Sequence, residues 1–506
     1  MIFIKKHIIR IMGKYLKKFN SHAEYNAFTA TTAFILPNVS LCVNEDDLHY
    51  NPLVRVSGVT LDKSELSIKE GDTETLVASI LPYNASNKNV VWSSSDDSIA
   101  TVDNGVVSGV SAGNANITVT TEDGGYTAQC ATSVKNYKVI TYTATSKLPE
   151  TTSTSYTTGL HVNSFSGTSG QRLTMVSHTF EDGVGTVTFN GDIEKFGDYA
   201  FYSATSLTSI DIPDSVTSIG ANAFFNCSGL TSIDIPDSVT SIGANAFSGC
   251  TSLTSCTIGN GVTSIGGGAF SYCSGLTRLN SDVDGVFNIP SGVTSIDNYT
   301  FNGCIGLTSI DIPNSVTSIG SAAFQGCSSL TSIEIPDSVT NIGNNTFQNC
   351  SGLTSIEIPD SVTSIGEGAF FNCSGLTRLN SDVDGVFNIP SGVTSIGLQL
   401  FYRCYRLTSI DIPDSVTSIG SYAFDFCTSL TSIDIPNSVT SIGLYAFRYC
   451  SRLTSVTVEA TTPPTLQGGG VFDGSGCIIY VPSDSVDAYK AANIWNSYAS
   501  RIQAIP

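Results

Sequence analysis

The sequence predicts a mainly β chain in two unlike parts: a sandwich of short strands, then a solenoid of 23-residue coils closed by terminal caps. Phenylalanine recurs at Phe201, Phe224, Phe247, Phe270, Phe301, Phe324, Phe347, Phe370, Phe401, Phe424 and Phe447, with a step of 23 that lengthens to 31 only at 270 to 301 and 370 to 401. A fixed period of this size means stacked units, not one globular core. Before the repeats, LVASI, VVWSS, GVVSGV and ANITVTT are short alternating apolar runs parted by Gly and Asn turns, the pattern of an antiparallel sandwich. Finally, the 506 residues carry a net charge of −20 with only 13% charged residues, so Ser, Thr, Gly and Asn must make the surface.

That charge excludes nucleic acid as a partner, because phosphates need Lys and Arg to displace their counterions. No stretch approaches the ~20 continuous apolar residues of a membrane span. The start, MIFIKKHIIRIMGKYLKKF, is basic, but Lys5, Lys6, His7 and Arg10 interrupt any apolar core of a signal peptide, and Met12 is an alternative start.

In chain order, residues 1–54 form a leading segment. Ser21-His22-Ala23-Glu24 is a capping box and predicts a short helix to about Phe28. The segment resembles leading segments of large structural proteins of gut phages and their hosts, and reads as an attachment or linker piece. Residues 55–135 form the sandwich. The run VVWSSSDDSIATVDNGVVSGVSAGNANITV, with Trp92, Ala100-Thr101-Val102, Gly105, Gly109, Gly113 and Ile117-Thr118-Val119, resembles the group 2 bacterial immunoglobulin-like domain. The resemblance implies a spacer or adhesive module with Trp92 in its core. Cys130 has no partner within the segment, which excludes an internal disulfide.

Residues 136–180 are read as the N-terminal cap of the solenoid, 181–459 as its repeats and 460–506 as its C-terminal cap. A degenerate first coil aligns Val187 with Ile210, Phe189 with Ile212, Ile193 with Val216, Phe196 with Ile219 and Gly197 with Gly220. Within a coil, alternation points Leu207, Ile210 and Ile212 inward and Ser209 and Asp211 outward. Pro213 ends the strand. Val216 and Ile219 point in from a second extended piece, Gly220 turns the chain, and the spacing of Ala223, Phe224 and Cys227 predicts a helical turn. In the tail, Ser483 or Asp484 is expected to cap a helix over 486–492, with Trp495 and Tyr498 covering the last coil.

The recurring sentence I-x-I-P-x-S-V-T-S-I-G-x-x-A-F-x-x-C resembles the BspA-like leucine-rich repeats of bacterial and protist surface proteins over roughly 181–506. The fold class is therefore an immunoglobulin-like β-sandwich followed by a leucine-rich-repeat solenoid. The resemblance implies a non-enzymatic surface protein for adhesion or recognition that binds an extracellular protein or glycan. It implies an extracellular or cell-surface location. A virion tail or decoration protein, attaching to bacteria or mucus, is the alternative.

No constellation for catalysis is legible, and no cofactor is expected. All five histidines lie at or before His178, and no Lys stands between Phe201 and Pro482. The cysteines three residues after each marker Phe, Cys227 to Cys450, read as buried thiols acting as small hydrophobes, since ladder side chains run parallel and do not face each other. The insert Asn280-x-Asp282-x-Asp284-Gly285, repeated at 380–385, matches half a calcium loop. Ser291 and Ser391 stand where a bidentate Glu is required, so it reads as a polar bulging turn. One candidate binding feature has a physical basis. Asp211, Asp234, Asp311, Glu334, Glu357, Asp411 and Asp434 share one outward position in successive coils, broken at Thr257 and at the inserts. Asp214, Asp237, Asp337, Asp360 and Asp414 form a second column beyond the proline. Between 201 and 482 there are 21 acids against six arginines. Such a column serves either a cationic partner or solubility and resistance to edge-to-edge pairing.

Overall fold

In the computed structural model the described residues are 53–152, 158–167, 170–281, 286–379 and 388–506. The leading segment's capping box and helix, the segment 380–385 and most of 280–285 lie outside them. The chain divides into two units, Met1–Asn136 and Tyr137–Pro506.

In the first unit, one sheet has the order Glu65–Lys69, Thr127–Lys135, Gly113–Thr121, Val90–Ser94, and another the order Thr73–Thr75, Val106–Gly109, Ala100–Asp103. Alternate residues of the long strands turn inward, and Leu66, Ile68, Leu76, Val107, Ile117, Cys130 and Val134 form the core. One expectation fails: the sandwich is not wholly antiparallel, because Glu65–Lys69 runs parallel to Thr127–Lys135. Trp92 packs half-buried against this core rather than within it. It lies over Gly105, which has φ 85° and where a Cβ would meet Leu76 O at 2.7 Å.

The second unit has one continuous apolar core from Ile140 to Ile502. Each coil gives it the same set. In the coil from Leu230, the inward side chains are Leu230, Ile233, Ile235, Val239, Ile242, Ala246, Phe247 and Cys250, all essentially buried. The coil contributes Ser232–Ile235 to one parallel sheet and Ser241–Ile242 to a second, pairing residue for residue with the next coil at Ser255 and Ser264. The marker rings stack with centroids 5.1–5.8 Å apart and planes within 12°, within the range aromatic pairs prefer. The stack has one more member than the sequence rhythm marks: Phe472 sits 5.6 Å from Phe447 despite a step of 25.

The expected helical turn around Phe224 is instead a run of turns held by two left-handed residues, Asn222 (φ 56°) and Asn226 (φ 55°). Backbone bonds to the next coil explain this. The N–H groups of Asn222, Phe224 and Asn226 reach the carbonyls of Ala244, Ala246 and Ser248 at 2.7–2.9 Å, whereas a helix would have turned them back on their own coil.

The N-terminal end is rearranged relative to the degenerate coil. On the second sheet Phe196 pairs with Ile219 as expected. On the first sheet the strand Lys138–Ala144 intervenes between Val184–Phe189 and Leu207–Ile210, antiparallel to both, so Val187 faces Ile140 and not Ile210. This strand covers the open edge of the parallel sheet and supplies Ile140 and Tyr142 to its core. At the other end Ile502–Ala504 adds to Ile478–Val481, and Trp495 and Tyr498 pack against Phe472. The helix Val486–Ala491 begins after Ser485 with no side-chain cap, so neither Ser483 nor Asp484 has the expected role. Packing of the fully buried Tyr489, whose hydroxyl donates to Ala460 O, fixes it instead.

The eight-residue insert is partly core. Val286–Asn288 enters the first sheet as an extra strand between Arg278–Leu279 and Ser309–Asp311, and Phe287 is buried edge-on against Phe301. Phe270 and Phe301 still stack as one step, while the second sheet ends at Ser264–Ile265 and restarts at Ser295–Ile296. The insert thus widens one side of the solenoid by a strand.

Candidate functional site

The first sheet fixes where the acidic column lies. All seven carboxylates, Asp211, Asp234, Asp311, Glu334, Glu357, Asp411 and Asp434, are exposed. Ladder register places Asp234 beside Thr257, Asn288 beside Asp311, Glu334 beside Glu357, Asn388 beside Asp411 and Asp434 beside Thr457. The column therefore comes in short acidic runs parted by Thr and by the asparagines that the inserts contribute. Asn280 and Asn288 close the first gap reciprocally, each amide donating to the other's carbonyl at 3.0 Å. Among the described residues, no cation pairs with any of the seven carboxylates. In the second column Asp237 accepts the Asn260 N–H at 2.7 Å, which ties one turn to the next.

Around the carboxylates the surface hydroxyls are structural. Thr231 Oγ1 donates to Thr208 O, Thr254 to Thr231 and Thr277 to Thr254, each 3.0–3.2 Å. A parallel series runs through Thr240, Thr263, Thr417 and Thr440. The abundance of Thr thus reflects bonding between coils.

The cysteine ladder is a thiol ladder, and all thirteen described cysteines are free and buried. Each repeat thiol also donates to the marker Phe carbonyl one coil back, as Cys227 to Phe201 at 3.0 Å and Cys350 to Phe324 at 3.1 Å. This is a role beyond that of a small hydrophobe. Burial pushes the Cys227, Cys273 and Cys350 thiols up to about 12, so they stay protonated and unreactive. Among the described residues no His, Cys, Asp and Glu group could hold a metal ion. A compact polar cluster lies near the start of the second unit. Tyr142 Oη is 2.7 Å from His178 Nε2, and His178 Nδ1 is 2.8 Å from Glu150 Oε1. Burial lowers the imidazole's affinity for a proton, against the pull of Glu150. Tyr142 also accepts the Leu148 N–H, so the cluster ties the loop after Lys138–Ala144 to the strands.

The turn face, meaning the residues flanking each marker Phe, carries what the periodic reading missed. The positions two before and two after each Phe are left-handed in every coil. From 222 to 372, eleven of these fourteen positions are Asn or Gly. The next six are Gln399, Arg403, Tyr422, Phe426, Tyr445 and Tyr449, with φ between 56° and 62°. A side chain other than Gly or Asn there costs roughly 1–2 kcal/mol. Around them an aromatic and guanidinium cluster assembles. Arg448 lies 4.4 Å from the Tyr445 ring centroid, 5.2 Å from Tyr449 and 5.4 Å from Tyr422, and it grips the fully buried Asp425 at 2.6 Å. Arg403 lies 5.2 Å from Tyr402 and 5.6 Å from Phe426. Arg403, Tyr405, Arg406, Tyr449 and Arg452 are exposed. The sequence signal was available: four of the six arginines between 201 and 482 fall within 403–452.

Comparison with known proteins gives two family matches. The model described as BspA type leucine rich repeat region matches residues 179–284, 285–384 and 385–479, and that described as bacterial Ig-like domain (group 2) matches 55–132. An alpha-L-arabinofuranosidase of Bifidobacterium longum subsp. longum is 43% identical over 90 residues, 18% of this chain and 8% of its own. An Ig-like virion protein of Serratia phage KSP90 is 40% identical over 84 residues, 16% of this chain and 33% of its own. The chain spans between 8% and 22% of the length of the arabinofuranosidase and of two uncharacterized proteins of Clostridium acetobutylicum. A leucine-rich repeat protein from Bacteroides ovatus is similar in structure at 30% identity, covering 66% of this chain and 90% of its own, with a TM-score of 0.46.

Proposed function

The chain belongs to the BspA-type leucine-rich-repeat family, and from that premise we propose that it is a surface-displayed recognition protein whose solenoid holds an extracellular protein or glycan. The family points to a protein-interaction or adhesion role, and both matched families are non-catalytic scaffolds. No helix among the described residues is long and apolar enough to cross a membrane. The observation that carries the proposal is the row of exposed carboxylates on the strand face, with no cation paired to them among the described residues. In this reading Asp311, Glu334 and Glu357 are the centre of a contact for a basic partner, repeated more weakly at Asp211 and Asp234 and at Asp411 and Asp434. The immunoglobulin-like domain serves as spacer.

An array of extracellular-matrix proteins and glycans probed with the full chain tests this. Binding should fall steeply between low and physiological salt, and drop in a D311N/E334Q/E357Q variant. Salt-insensitive binding, or binding unchanged in that variant, would remove the column from the contact.

A second reading, a virion surface protein, is favoured by the likeness to the phage Ig-like virion protein. Immunogold labelling of virions against cells separates the two: label confined to cells would dismiss it.

A further inference from the structure

We propose that the turn face over 398–452 is a second interaction surface, opposite in charge to the strand face, and that it takes an acidic segment of a partner protein. Backbone conformation is the starting observation. Elsewhere the left-handed positions are mostly Asn or Gly, yet in these coils all six bear other side chains, four of them aromatic and one an arginine. Strain concentrated in three successive coils, beyond the cases at Tyr199, Ser203, Tyr272, Tyr299 and Ala322, marks a site where the side chain itself is needed. The fold does not need it there, since coils with Asn and Gly stack on the same phenylalanine ladder at the same spacing.

The chemistry of the patch names the partner. Tyr402, Tyr422, Phe426, Tyr445 and Tyr449 form a half-exposed platform over consecutive coils, with Tyr449 46% exposed. Aromatic residues and Arg concentrate at protein contact centres because they bring large area and directed charge at little cost in order. Arg448 is neutralised by Asp425 and braces the platform from within. Arg403, Arg406 and Arg452 are exposed and have no ion-pair partner among the described residues. Two further turn-face acids, Glu367 and Asp473, flank the patch at its two ends, and Asp198 and Asp297 lie in coils before it. Within a chain of net charge −20 this is a local concentration of positive charge. Its matching surface is a segment presenting carboxylates to the arginines and side chains to the rings. The proposal stands independently of the acidic column, which lies on the strand face.

The test uses the full chain and a Glu–Tyr copolymer as the acidic peptide probe, with polygalacturonate and poly-L-lysine as comparators. Net charge opposes the copolymer, so its binding reports the patch. The test variant, R403N/Y405S/R406S/Y449N/R452S, places at each position a residue that other coils of this chain already use there. The copolymer should bind the native chain and lose at least tenfold in affinity in the variant. The variant's melting temperature should hold or rise, because Asn replaces Arg and Tyr at left-handed positions, and its binding of poly-L-lysine should be unchanged. A purely structural patch would lower the melting temperature and leave copolymer binding as it was. Absence of copolymer binding to the native chain at low salt, equal binding by the variant, or preference for polygalacturonate would each overturn the proposal.

Discussion

The strand face and the turn face of each coil cover the same core and obey different rules. On the strand face many outward side chains have a task set by the neighbouring coil. Thr side chains close carbonyls of the previous coil, Ser and Thr repeat in register, and the remaining outward residue is acidic or amide in most coils. On the turn face the main chain links every coil to the next, through N–H groups at every second residue, while side-chain links such as Asp425 to Arg448, Asn302 to Gln325 and Asn349 to Asn372 occur only between some coils. No single side-chain bond is required there in every coil, and the exposed identities change from coil to coil. A repeat can therefore be uniform where side chains hold it and varied where the backbone does. The repeated sentence thus does not yield one uniform acidic surface.

The comparison can be broken from the core outward. The largest effect is expected at high pH. The buried thiols bind protons more tightly when folded than unfolded, their ordinary value being 9.0 and the folded values of Cys227, Cys273 and Cys350 about 12. Their stabilisation is complete below pH 9.0 and is lost as pH rises toward the folded values. The loss is about 1.4 kcal/mol per thiol for each pH unit above the unfolded value. The denaturant midpoint of the solenoid should fall steeply above pH 9.0, and a midpoint that stays flat would mean the thiols are not sealed in the core. Phe324→Ala removes one ring from the middle of the stack and should cost about 3–5 kcal/mol. Hydrogen exchange should rise first in the coils flanking residue 324, as contacts are nearest-neighbour.

Smaller effects separate the two faces. Arg448→Met leaves the Asp425 carboxylate buried and unpaired, and should lower stability by about 2–4 kcal/mol in urea titration. Asp425→Ala in the same background should restore most of it, whereas no recovery would mean that ring packing, not the ion pair, fixes Arg448. Thr254→Ala removes one inter-coil bond from an exposed strand-face hydroxyl and should cost about 0.5–1.5 kcal/mol. Glu334→Gln should change stability by no more than about 0.5 kcal/mol, with any gain fading as salt is added. A loss beyond that would give the carboxylate a structural role and weaken its candidacy as a contact.

Period and alternation alone placed the inward Leu, Ile, Val, Phe and Cys, the parallel stacking and the sealed thiols. Each follows from one coil repeated, because a coil cannot bury its apolar face except against its own copy. The outward carboxylates were legible for the same reason, since a strand shows alternate residues to water. Tertiary structure decided what periodicity does not encode. Lys138–Ala144 enters between two strands that align as neighbours in sequence, because an open sheet edge needs covering and an antiparallel strand covers it. Phe287 enters the core from an insert that reads as polar, because the extra strand continues the first sheet. The Arg448 cluster draws on residues from adjacent coils, each an unremarkable departure within its own repeat. Only stacking at 5.1–5.8 Å brings those departures into one surface.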